Sequence, residues 1–210
     1  MKIIFKSLVV SLVLITSAGF LHGQFGIGLT VTNDIYNRYG NPKDSIAHNG
    51  NGSVILNLGV GPKIWFGGEK MSASLETYAN VGLFGLALPD YKGLGNISFP
   101  LIAKLNFGGL SGLNKEGRTG FSVGGGLQWN KTELYYLSND FENRGVDRGF
   151  YRTYVVQAGY GFGLTGFGIQ FFTRYGWNPD VEGGNSLNIG LQFDFNALKL
   201  SKIDDPASQL

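Results

Sequence analysis

A chain with two histidines and no cysteine offers few residues for nucleophilic or metal chemistry. His22 falls in the N-terminal segment 1–23, which reads as a signal, and this leaves His48, in a run rich in glycine and asparagine, near Asp44 and Ser45. Acyl transfer needs a nucleophile, a base and an orienting acid converging from a rigid scaffold. Three neighbours in one loop do not meet that condition, so His48 reads as a loop histidine. Gly161-Phe162-Gly163-Leu164-Thr165-Gly166 has the G-x-G-x-x-G spacing. That fingerprint binds a pyrophosphate only where a strand runs into a helix; here it runs into the alternating Phe167-Gly168-Ile169-Gln170-Phe171 and reads as a hairpin turn. Asp140, Glu142 and Asp147 match no calcium-loop spacing. No catalytic residue, cofactor site or metal site follows, and a non-enzyme is expected.

The charges with a consistent setting are Lys63, Glu76, Lys104, Arg174 and Asp194. Each stands on the polar parity of a segment that alternates apolar and polar residues. Leu187-Asn188-Ile189-Gly190-Leu191-Gln192-Phe193-Asp194-Phe195 shows the pattern best: Leu, Ile, Leu, Phe and Phe on one face, Asn, Gly, Gln and Asp on the other. Period-two alternation is the mark of a strand with two unlike faces. Here the apolar parity is continuous enough to coat an exterior, as a strand between hydrocarbon and a polar lumen requires.

Eight such segments can be placed: 25–32, 53–66, 71 to about 86, 96–107, 119–130, 150–162, 167–177 and 187–195. Most reach the 9–11 residues that a tilted membrane strand needs. The expected fold is an all-β, eight-stranded antiparallel up-and-down transmembrane β-barrel. Its connections alternate between short turns (Gly67-Gly68-Glu69-Lys70) and long polar loops (33–52 and 131–149). Spanning barrels place the short turns in the periplasm, so both termini are expected there. Trp65, Phe66, Phe107, Phe162, Phe167, Phe193 and Phe195 would form one aromatic belt, and Phe99, Trp129, Tyr154, Tyr175 and Trp177 the other. A soluble β-sandwich or lipocalin-like barrel is the competing fold, with the apolar parity inside.

In so narrow a barrel side chains fill the lumen. Glu76 and Lys104, on neighbouring segments at similar depth, are expected to pair, with Lys63 on the other flank, in an ionic network that plugs the interior. The expected contacts to an outside partner lie in the long loops: Tyr36, Arg38 and Tyr39 in the first, Tyr135, Tyr136, Phe141 and Arg144 in the one between the fifth and sixth segments. Tyrosine and arginine are favoured in binding surfaces.

Composition agrees with this organisation. The 210 residues suffice for one domain; aromatics at 14%, 34 glycines and only 15% charged residues exclude disorder and disfavour a helical bundle. Lys2 and Lys6 precede the apolar run 7–21 and small Gly23, the order of a secretory signal. Cleavage after Gly23, or alternatively Gly19, is expected. The domain reading is therefore signal peptide 1–23, barrel 24–195 and periplasmic tail 196–210. Removing Lys2 and Lys6 leaves 15 of the 17 basic residues against 15 acidic, so nothing suggests nucleic acid. The expected partners are outer-membrane lipid and other outer-membrane or surface proteins.

With these segments in view, the chain resembles the OmpA/OmpX-type eight-stranded outer-membrane barrels. More closely it resembles the PorT-like outer-membrane β-barrel proteins of Gram-negative bacteria. The resemblance rests on Ile97-Ser98-Phe99-Pro100-Leu101-Ile102-Ala103-Lys104-Leu105, on the glycine-spaced Gly120 to Gln128, and on Leu187 to Phe195. The expected role is envelope-structural or surface-interaction, and the PorT-like resemblance implies an alternative, an accessory subunit of an outer-membrane assembly such as one for protein export. A narrow ion or small-solute pore is a further alternative. The chain departs from many such barrels in continuing for fifteen residues beyond its terminal aromatic Phe195.

Overall fold

Alternating sequence holds a backbone extended, but one strand alone leaves its N–H and C=O groups unpaired. Closure of the sheet on itself removes both edges at once. In the computed structural model, which describes residues 24–40, 57–82, 93–112, 117–136, 149–164, 166–180 and 184–196, the strands are β1 (Gln24–Gly40), β2 (Asn57–Gly67), β3 (Met71–Thr77), β4 (Ala79–Gly82), β5 (Gly93–Gly108), β6 (Arg118–Tyr136), β7 (Tyr151–Leu164), β8 (Phe167–Trp177) and β9 (Asn185–Asn196). All pairings are antiparallel; β2 and β5 each pair with both β3 and β4, the remaining strands pair in chain order, and β1 pairs with both β2 and β9, so the sheet is a closed up-and-down barrel.

Nine strands make eight staves, because β3 and β4 are one stave interrupted at Tyr78. Lys63↔Glu76 and Val60↔Ala79 belong to a single register against β2, as do Thr77↔Leu101 and Asn80↔Ser98 against β5. Continued through the gap, that register sets Tyr78 between Gly61 and Pro100. Proline has no N–H to give a ladder, which accounts for a one-residue break.

The staves outlast the segments expected from sequence. β1 runs to Gly40 and β6 to Tyr136, where loops were expected from Asn33 and Lys131. Within β1 the register against β9 shifts between Asp34 and Tyr36. Ile35 and Tyr36 both face outward there, and the inward parity passes from even numbers (Thr30, Thr32, Asp34) to odd (Asn37, Tyr39). This is a β-bulge, one extra residue against the partner strand.

The β5–β6 connection also differs from a plain turn. Gly109–Ser111 forms one 3₁₀ turn between Gly108 (φ 61°) and Gly112 (φ 91°), a left-handed backbone that glycine adopts without strain. Leu110 and Ser111 are buried. The Ser111 hydroxyl donates to the Glu69 carbonyl at 2.6 Å, so the turn folds back over its end of the barrel. That end also carries Gln24, Asn196 and the turns at 68–70 and 166.

Candidate functional site: the polar lumen and the two rims

Which face of each stave turns inward is unambiguous. Phe25 (60% exposed) and Tyr160 (65%) stand outside, whereas Glu76 (1%) and Arg174 (0%) stand inside. Apolar residues alternate outward along every stave, and the inward row is hydroxyls, amides, glycines and charges. The barrel is therefore inverted relative to a soluble one, whose apolar parity would fill the centre. The few inward apolar side chains include Trp65, Ile102 and Phe172. Trp65 thereby leaves the aromatic belt to which sequence assigned it: a methyl group at Gly26 would lie 2.4 Å from its ring, so the indole occupies the lumen over that glycine.

All five expected lumen charges are inside, and a sixth joins them. Among the described residues the buried charged ones are Asp34, Lys63, Glu76, Lys104, Arg174 and Asp194; three are acidic and three basic, so the formal charges of these six cancel. Lys104 Nζ lies 2.7 Å from Glu76 Oε1. Lys63, expected beside this pair, instead lies 3.0 Å from Asp194 Oδ2. Gln192 ties the two pairs together, its Nε2 donating to Glu76 Oε2 at 3.1 Å and to Asp194 Oδ1 at 2.8 Å. Thr30 and Gln170 donate to Asp194 as well, at 2.9 and 3.3 Å. A buried carboxylate is tolerated when its lone pairs are met in this way.

Arg174 crosses the barrel. From β8 its Nε donates to Gln157 Oε1 at 3.0 Å and its Nη1 to Gln128 Oε1 at 2.7 Å, while Nη2 donates to the Tyr78 hydroxyl on the opposite wall. Its guanidinium carbon is 5.4 Å from the Tyr78 ring centroid and 5.1 Å from that of Phe172. Gln157 donates to Gln192 at 3.1 Å, so the guanidinium and the two ion pairs form one connected network. A rigid planar fork suits this use better than an ammonium group.

Asp34 is the residue that sequence reading missed, because it fell in the expected first loop. It accepts from Asn80 Nδ2 at 2.7 Å and Asn188 Nδ2 at 2.6 Å. The same Asn188 nitrogen donates to the Tyr39 hydroxyl at 2.7 Å. Tyr39 was an expected loop contact; the bulge turns it inward instead, 1% exposed, within 3.4 Å of Ser98 Oγ. It has no surface to offer a partner. Only an off-parity residue near Ile35 could have signalled this.

Tyr36 and Arg38 do face outward on β1. The backbone of Tyr135 and Tyr136 continues β6, but their side chains, with the whole of Phe141 and Arg144, lie outside the described residues. So do residues 1–23, expected to be a signal, His48, the acidic residues at 140, 142 and 147, and the residues beyond Asn196. Asn196 itself, expected to open the tail, closes β9. Among the described residues no group of three or more His, Asp or Glu is placed to hold a metal ion.

Outward aromatics gather at both ends. Phe107 stacks on Phe121 at 4.5 Å and Phe167 meets Phe195 at 5.3 Å at the turn end. At the loop end Tyr154 lies 6.4 Å from Trp177, Tyr175 6.3 Å from Trp177, and Phe99 5.8 Å from Phe150.

No family model matches the sequence, so the PorT-like resemblance is not confirmed, and no curated protein matches it. Solved structures do. Neisserial surface protein A is 9% identical, covering 82% of this chain and 97% of its own, with a TM-score of 0.45. The outer membrane protein OprG from Pseudomonas aeruginosa is 13% identical over 81% and 95%, with a TM-score of 0.40. Ail, the attachment invasion locus protein of Yersinia pestis, solved with the heparin analogue sucrose octasulfate, is 10% identical over 82% and 99%, with a TM-score of 0.39.

Proposed function

We propose that this chain is a small non-enzymatic outer-membrane protein whose barrel is closed by its own side chains and whose work is done at its surface. One observation carries the reading: among the described residues aromatic and aliphatic side chains coat the outside while six ionic groups are buried inside. Water would penalise that exterior, and hydrocarbon accepts it. On this reading residues 1–23 are a secretory signal, the turn end with both barrel termini faces the periplasm, and the loop end faces outward. Staves of seventeen and nineteen residues (β1 and β6) exceed the 9–11 needed to cross, so hairpins stand above the membrane where Tyr36 and Arg38 can meet a surface partner.

The narrow-pore alternative is disfavoured by Arg174, which bridges opposite walls of the lumen, and by the buried 3₁₀ turn at the turn end. The accessory-subunit alternative follows from the PorT-like resemblance, and the exposed rims suit it equally. Membrane fractionation with heat-modifiable gel mobility tests the membrane reading: a soluble protein whose mobility ignores heating would overturn it. Affinity purification of the full chain in mild detergent then separates a solitary envelope protein from a subunit of a larger assembly.

A further inference from the structure

Lys131 and Arg152 stand together on the outside of the loop end, on neighbouring staves and directly above aromatic rings. Phe99, Trp129 and Arg152 are register partners in one outward row across β5, β6 and β7, and Lys131 follows two residues beyond Trp129, paired with Ile97. Outward side chains so placed are about 5 Å apart across the row and roughly 7–8 Å on the diagonal. The Arg152 guanidinium is positioned by the Tyr154 ring, 5.4 Å from its centroid, which in turn meets Trp177. Its ion contact, Asp180 Oδ2 at 3.5 Å, joins two exposed side chains and is weak and screened. Among the described residues the outward charges of this rim are Arg38, Lys131, Arg152 and the acidic Asp180, and those of the opposite rim are Glu69, Lys70 and Arg118.

We propose that this arc, Trp129–Lys131–Arg152–Tyr154–Trp177, binds the headgroup of a lipid bearing a phosphate monoester. Amphipathic rings settle at the boundary between hydrocarbon and headgroups. At about 3.3 Å of rise per residue, cations one or two residues further along reach the phosphate layer. A planar guanidinium grips phosphate by two parallel hydrogen bonds, and the ammonium adds a point charge. A monoester carries charge that no choline or ethanolamine within the same lipid offsets, which makes it the favoured headgroup over a zwitterionic one. The proposal rests on the membrane reading above.

The test uses the full mature chain refolded into phosphatidylcholine vesicles, with brominated phosphatidic acid or brominated phosphatidylcholine as quencher. Trp129 and Trp177 flank the two cations, and Trp65, buried in the lumen, supplies the shielded emission. Phosphatidic acid is expected to quench with an apparent affinity roughly five-fold or more above phosphatidylcholine, the scale for one surface cation. The Lys131→Gln, Arg152→Gln double variant should bring that ratio close to one. The matched Lys70→Gln, Arg118→Gln variant at the other rim should leave it unchanged. Equal quenching by the two lipids, or equal loss in both variants, overturns the site while leaving the barrel in the membrane. Quenching by neither lipid overturns the membrane reading itself.

Discussion

Glu76 and Lys104 hold each other in a place where neither could stand alone. Both side chains are out of contact with solvent and 2.7 Å apart. Removing one partner of a buried pair leaves the other uncompensated, at a cost of about 3–5 kcal/mol, whereas replacing both by neutral groups is far milder. Lys104→Met should therefore lower the urea midpoint of the folded barrel in micelles, and the Glu76→Gln, Lys104→Met double variant should recover most of the loss. A single variant as stable as the parent would show that these groups are solvated rather than paired. Arg174→Met should act in the same direction, because the carbonyl oxygens of Gln128 and Gln157 and the hydroxyl of Tyr78 lose their donor together.

Among the elements, the staves depend on glycines where neighbouring backbone comes close to the inner face. A Cβ at Gly126 would lie 1.9 Å from the Leu101 carbonyl oxygen, whereas at Gly68, in the β2–β3 turn, it would meet nothing within 4 Å. Gly126→Ala should cost roughly 1–3 kcal/mol, as forced overpacking does, and reduce the folded fraction on unheated gels; Gly68→Ala should fold like the parent. Equal behaviour of the two would refute close β5–β6 packing. The bulge in β1 works at the same scale. By admitting one extra residue it turns Tyr39 inward and leaves Tyr36 and Arg38 outside, so a single position decides which loop-end residues can reach a partner.

For the whole molecule, closure and inversion act together. The barrel has no free sheet edge within the described staves, its exterior suits hydrocarbon, and the interior charges of the described residues cancel. Purified protein is expected to need detergent or lipid, and to precipitate when either is withdrawn. In planar bilayers the parent should show no steady conductance, because side chains bridge the lumen from wall to wall. Stable open-channel currents would contradict a filled interior. Freely soluble material with native mobility would contradict the inversion.

Local alternation alone was enough to determine the class of fold, the number of staves and the facing of nearly every described residue, because a strand's side chains have only two directions and these residues obey that rule. Phe167–Trp177 was legible to the residue, and so was the inward placement of Lys63, Glu76, Lys104, Arg174 and Asp194. Tertiary structure decided what period-two counting cannot reach. Register chose Asp194 rather than Glu76 as the partner of Lys63, since pairing depends on which staves adjoin and at what stagger. The bulge at Ile35 moved Tyr39 and revealed Asp34, and the glycine-flanked turn at 109–111 folded into the barrel end. Each of these depends on where distant parts of the chain meet, and that information is absent from any single stretch of it.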